Sequence, residues 1–177
     1  MADLRDPIAR LKARIAKSGW GIRVDESLAF VQPELTALHA LWRAKADEMG
    51  GLPPREMLDI RSLKPYLGHL SVSERVESAP GKFSYCLRLQ GSFMAEMFGN
   101  QTGKLLEDAA PPELAERWTF VYDALLEMKR PLRLQGTYKQ EGMEHLIAET
   151  LAVPLGNAGR KPVSVLAATY YQSRYKD

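Results

Sequence analysis

The stretch from Pro131 to Gln172 constrains the fold more than any other. It holds three strand-like runs, 132–139 (LRLQGTYK), 145–154 (HLIAETLAVP) and 162–172 (PVSVLAATYYQ), separated by short segments containing the turns QEGM and GNAGRK. Connections this short join neighbouring strands antiparallel, so the stretch predicts a three-stranded meander. Upstream, FSYCLRLQ alternates with period two and sets Phe83, Tyr85, Leu87 and Leu89 against Ser84, Cys86, Arg88 and Gln90. The run 69–77 (HLSVSERVE) puts Leu70, Val72 and Glu74 on one face, and Ala79-Pro80-Gly81 turns the chain between the two. This hairpin and the meander form one five-stranded antiparallel sheet if the first hairpin strand pairs with the last meander strand.

Helical patterns surround the hairpin. Leu4, Ile8, Leu11 and Ile15 recur at helical spacing before Gly19, which predicts an amphipathic helix over 4–17 with a basic outer face. Trp20 to Gln32 has no sustained period and reads as a connection. Pro33 opens a second helix whose stripe is Leu35, Leu38, Trp42 and Met49, stopped by Gly50-Gly51. A short helix is expected over 59–66, curtailed by Pro65. Ser92 is expected to cap another, carrying Phe93, Met94, Met97 and Phe98. Pro111-Pro112 opens the longest helix, with Leu114, Trp118, Val121, Leu125 and Met128 in its stripe. The expected class is α+β: helices on one sheet face, the N-terminal pair on the other, with 1–50 an extension to a domain over 51–177.

Charge and cysteine content narrow the function classes. Across 177 residues, 24 basic and 22 acidic side chains nearly cancel, so no overall field favours nucleic acid. The single cysteine, Cys86, excludes an internal disulfide and fits a reducing cytoplasm. The N-terminus carries Asp3 and Asp6 without an apolar leader, and no run approaches the roughly eighteen apolar residues of a membrane span. A cytoplasmic location is expected. The basic face of the first helix (Arg5, Arg10, Lys12, Arg14, Lys17) is expected to dock on its own domain or self-associate rather than meet a membrane.

Catalytic signatures are missing. There is no G-x-S-x-G, H-E-x-x-H or G-x-G-x-x-G, and His39, His69 and His145 have no metal-ligand spacing. GNQTGKLL at 99–106 looks like a phosphate loop, but it has three residues between Gly99 and Gly103 and Leu105 where the magnesium-binding hydroxyl belongs. The expectation is a non-enzyme without metal or catalytic residues.

The motifs resemble a family. LPPREMLDIRSLKPYLGHLSVSERV, FSYCLRLQG and FGNQTGKLLEDA, in the element order hairpin, short helices, long helix, meander, resemble a PAS domain. More narrowly, they resemble a bacterial PAS-like group with Leu-Pro-x-Arg (Leu52, Pro53, Arg55) and Tyr-x-x-Arg-x-x-Gly (Tyr85, Arg88, Gly91) segments, followed by Gly99, Thr102 and Gly103. The resemblance covers about 33–172. It implies a five-stranded sensory fold with a central cavity, a regulatory role, and no assigned ligand. GNQTGKLL then marks a break between short helices. Flavin chemistry is disfavoured because Cys86 lies mid-strand rather than in the reactive helix motif. Haem is disfavoured because 111–130 contains no histidine; the cofactor is left open.

Candidate pocket residues are Tyr85, Leu87, Arg88, Trp118, Tyr122 and Tyr138. An arginine in mid-strand must reach solvent, pair with an acid such as Glu149, or meet an anionic ligand. The tyrosines and the tryptophan supply polar handles on apolar bodies, or plain core. Cys86 is a small hydrophobe or, beside Arg88, a reactive thiol. The expected function is a stand-alone PAS-like sensory or regulatory domain signalling through a small ligand or a protein partner, with homodimerisation expected. A ligand between sheet and long helix would bias the N-terminal helices. The alternatives are a ligand carrier, a small enzyme on the same fold, or an adaptor whose cavity is filled by its own side chains.

Overall fold

The computed structural model describes residues 5–137, 142, 144–157 and 161–174. The helices are α1 (Pro7–Ser18), α2 (Pro33–Met49), α3 (Ile60–Leu63), α4 (Ser92–Phe98), α5 (Leu106–Ala109) and α6 (Pro112–Met128). The strands are β1 (Ile22–Asp25), β2 (Leu70–Ala79), β3 (Lys82–Gln90), β4 (Leu132–Thr137), β5 (Leu146–Gly156) and β6 (Pro162–Ser173). All six form one antiparallel sheet in the order β1-β4-β5-β6-β2-β3. The α+β class holds, and the hairpin joins the meander as expected, with Leu70 opposite Ala168 and Ser73 opposite Val165.

The sheet has one strand more than expected. β1 lies in the segment read as a connection and pairs with β4, Val24 opposite Leu134 and Asp25 opposite Arg133. Four residues are too few to display a period; the pairing comes from β4, whose edge would otherwise stay open. Gly136 permits the approach, since a Cβ there would sit 2.9 Å from Ile22 Cγ2.

The N-terminal helices do not cover one face as a pair. One core joins Ile8 and Leu11 of α1 to Val121, Tyr122 and Leu125 of α6 and to Leu132, Ala152 and Val165 of the sheet. The second core packs Leu35, Leu38 and Trp42 of α2, with Leu52 and Leu58, on Leu151, Val153 and Leu166. The separation follows from β1, which lies between α1 and α2 in the chain and forms the edge of the sheet, so that α1 is left on one face and α2 on the other. Leu4 lies outside the described residues. The basic back of α1 meets α6, where Arg10 pairs with Glu127 and Arg14 with Glu116. Asp6 caps α1 by accepting from the Ile8 N–H at 3.1 Å, and Gly19 ends it at φ 62°.

A bulge at Arg88 interrupts β3: Leu87 stands opposite Ser73 but Leu89 opposite Val72. Beyond it the alternation reverses, so Leu89 joins the α2-side core while Tyr85 stays in the α6-side core. Gly91 follows. A Cβ there would lie 2.1 Å from the Leu67 carbonyl oxygen, so only glycine lets β3 end against the 3-10 turn Lys64–His69. Gly91, not Ser92, is the N-cap of α4, with no side-chain bond. GNQTGKLL lies along β3: Gly103 N–H donates to Leu87 O at 2.7 Å and Leu87 N–H to Lys104 O at 3.0 Å. The segment covers a strand edge that would otherwise invite pairing with another chain.

Candidate functional site

Three of the candidate residues meet between the sheet and α6. Tyr85, at 1% exposure, donates its hydroxyl to Asp123 Oδ1 at 2.7 Å and lies edge-on to Tyr122 with centroids 5.1 Å apart. Trp118 packs against Tyr122 at 5.7 Å. Burial pushes the Tyr85 phenol well above its ordinary range, and the Asp123 carboxylate adds to the effect. Burial raises Tyr122 to about 12, opposed by hydrogen bonds with Ser73 and Ser71. These rings fill the space between strand and helix. Leu87 is half-buried and held by its backbone bonds to 103–104. Arg88 is exposed and pairs with Glu74 at 2.5 Å rather than with Glu149. Tyr138 lies outside the described residues.

Glu149 belongs to an ion network that sequence reading did not identify. Arg133 Nε donates to Glu149 Oε1 at 2.6 Å, and its Nη1 to Asp25 Oδ2 at 2.8 Å. The Glu149 carboxylate also accepts from the backbone N–H groups of Val31 at 3.0 Å and Gln32 at 2.8 Å. Gln32, the N-cap of α2, makes no side-chain cap of its own. A sheet carboxylate therefore caps the helix and fixes its start on the sheet. Asp25 is held at about 2, chiefly by hydrogen bonds from Ser27 and then by Arg133. The available signal was an arginine and a glutamate inside the apolar runs LRL and AET.

An open cleft lies elsewhere, between the C-terminal half of α2 and the turn from α6 to β4. It is a cleft of about 780 Å³. Trp42, Leu52, Met128 and Leu132 supply its apolar lining, with Arg43, Lys129 and Arg130 also around it. Trp42 is fixed, its indole N–H donating to Pro154 O at 3.0 Å. His39 stacks on it, with centroids 6.3 Å apart and planes 17° from parallel. The His39 Nε2 is buried with no hydrogen-bond partner among the described residues. Burial, and then Arg43, lower its pKa, so the ring is neutral at pH 7. Lys129 ends α6 in the left-handed region at φ 54°, a conformation L-residues other than asparagine and aspartate rarely adopt.

A smaller cavity of about 370 Å³ lies on the α2 side of the sheet, lined by Leu58, Leu63, Leu67, Leu70 and Val72. Between the two, the Leu-Pro-x-Arg segment is pinned to the end of β5: Gly156 N–H donates to Pro53 O at 3.1 Å. Leu52 lines the cleft and Arg55 the smaller cavity. Cys86 is buried, its Sγ 3.6 Å from Gly103 O. His69 stacks on Tyr170 at 3.9 Å, with Nδ1 2.9 Å from Thr169 O. Among the described residues, no cluster of three or more His, Cys, Asp or Glu side chains forms a metal site. No helix among them is long and apolar enough to cross a membrane.

The sequence matches no family model and no curated protein. Among solved structures, the chain is similar to a sensory box sensor histidine kinase from Vibrio cholerae, at 13% identity over 72% of this chain and 98% of that one, TM-score 0.46. It is also similar to a light-oxygen-voltage domain studied with a flavin analogue, at 12% identity over 64% and 84%, TM-score 0.43. A third is an RNA-binding light-oxygen-voltage receptor, at 13% identity over 97% of this chain and 55% of that one, TM-score 0.40.

Proposed function

We propose that the chain is a PAS-like regulatory domain whose signal is a small organic ligand taken into the cleft between α2 and the α6–β4 turn. The space between sheet and α6 is occupied by Tyr85, Tyr122 and Trp118, so the ligand site moves to the opposite side of α6's end. The observation that carries this is the cleft of about 780 Å³ itself, which has the neutral His39 ring, Leu28 and Met128 in its wall.

The wall that carries His39, Trp42 and Arg43 is α2, while Met128, Lys129 and Leu132 come from the end of α6 and the start of β4. Ligand at this junction shifts α2 between two arrangements, provided it binds them unequally. A second copy of the chain or a cytoplasmic signalling protein then reads the position of α2.

Native mass spectrometry of the freshly purified protein tests this. A retained small molecule, lost on denaturation and absent from an Ala46→Phe variant that narrows the cleft, is the expected result. A folded mass equal to the chain or a simple multiple, with no melting shift across a metabolite library, overturns it.

A further inference from the structure

Among the described residues, two positions other than glycine have positive φ, Leu28 and Lys129, each at 54°, and both line the cleft. A left-handed L-residue is unfavourable and persists only where its surroundings hold it. Leu28 lies in the segment 26–32 that joins β1 to α2, and Lys129 ends α6. Glu26 spans the two turns: its carboxylate lies 3.5 Å from Arg130 and 3.1 Å from Lys12 of α1. The segment is held firmly at its ends. Asp25 pairs with buried Arg133 at 2.8 Å, and the Val31 and Gln32 N–H groups donate to buried Glu149. Its middle is held less firmly: Glu26, Ser27 and Ala29 are exposed, the Ala29 N–H donates to Ser27 Oγ at 3.4 Å and the Phe30 N–H to Leu28 O at 3.0 Å. Exposed contacts of this kind are far weaker than the buried network at either end.

Resting on the cleft reading above for its purpose, we infer that residues 26–30 form a strap that gates the cleft by switching between the clasped arrangement and a released one. On release Glu26 leaves Arg130, and Leu28 and Lys129 relax together out of the left-handed region. The strain at these two residues opposes the contacts that hold the clasp, so the two arrangements lie close in free energy. The buried anchors stay in place, so α2 moves about its pinned start. Glu26 also holds Lys12, so release alters a contact of α1 in the same step. A ligand that binds the released arrangement better shifts the population toward it.

Amide hydrogen exchange, followed residue by residue by NMR in the whole unliganded chain, tests this. The Phe30 and Lys129 N–H groups, which donate to Leu28 O and Leu125 O, should open together, about tenfold or more readily than those of Val31 and Gln32. Leu28→Asn tolerates the left-handed backbone and should slow both by about tenfold, the cost of one left-handed residue. Leu28→Ile keeps an apolar side chain but adds β-branching, and should speed both. The opposed signs separate backbone strain from lost packing. Glu26→Gln, at an exposed position, should speed both by about two- to fivefold, the effect of losing exposed ion pairs, and decides the matter if a Leu28 variant folds poorly. Lys129 exchange that is unmoved by the Leu28 and Glu26 substitutions overturns the shared release. Phe30 exchange that occurs only through global unfolding overturns the strap, and leaves the cleft as a ligand site. A strap that opens as described in a protein that retains no small molecule overturns the ligand reading instead.

Discussion

Removing Arg133 tests how α2 is fixed to the sheet. Its side chain is 8% exposed, Glu149 is 4% and Asp25 is 17%, so Arg133→Met strands one fully buried and one nearly buried carboxylate. Breaking a buried ion pair from one side costs about 3–5 kcal/mol. Two retained interactions pull the value to the lower end: Glu149 keeps the Val31 and Gln32 N–H groups, and Asp25 keeps the Ser27 N–H at 2.8 Å. The expected loss is about 3 kcal/mol, which for a chain of this size lowers Tm by about 6–12 °C. Urea unfolding followed by tryptophan fluorescence measures it as a lower midpoint at unchanged slope. Arg133→Met/Glu149→Gln should recover part of the loss, because a neutral amide oxygen still accepts from the α2 start. A single-variant loss under about 1 kcal/mol, or a double variant worse than the sum of the singles, would refute the reasoning.

The same network sets an acid limit. Asp25 sits at about 2 when folded, below the ordinary aspartate value near 3.9, so its contribution is complete above about pH 4 and fades as pH falls toward 2. Arg133→Met should reduce that slope only in part in a pH series of urea midpoints, because the Ser27 hydrogen bonds that lower Asp25 most remain. Gly91→Ala drives a methyl into the Leu67 and Gly68 backbone and should cost at least the upper part of the ~1–3 kcal/mol range for overpacking; a loss below ~1 kcal/mol contradicts the close approach. Cys86, 6% exposed, should resist a thiol reagent in the folded chain and react at once in urea, and fast native labelling would contradict its burial.

Much of the fold could be read from apolar periodicity. The stripes of α2 and α6 and the meander's short turns reflect faces that must be buried, and burial repeats in sequence wherever an element is long enough. β1 is only four residues, so its pairing partner and not its pattern defines it. Phe83, Tyr85, Leu87 and Leu89 were expected on one face. The bulge at Arg88 sends Leu89 to the other, and Phe83, 49% exposed, lies under the Arg75 guanidinium at 4.2 Å. The Tyr-x-x-Arg-x-x-Gly segment thus reads as core residue, bulge and obligatory glycine. The cleft left almost no trace, because its walls come from Glu26, α2, Leu52 and the end of α6, brought together only by packing on opposite sides of the sheet edge. His39 gave no signal of its own: an imidazole beside Leu38 becomes distinctive only when its nitrogen is seen to lack a partner.

The chain has three histidines, at 39, 69 and 145, so their imidazole signals in a ¹⁵N NMR spectrum can be followed one by one. Adding back the small molecule recovered from the native protein should move the His39 signals saturably and leave those of His69, stacked on Tyr170, and exposed His145 unchanged. Ala46→Phe should abolish the shift. Movement of His69 in place of His39, or a His39 shift that survives Ala46→Phe, would contradict the cleft as the ligand site.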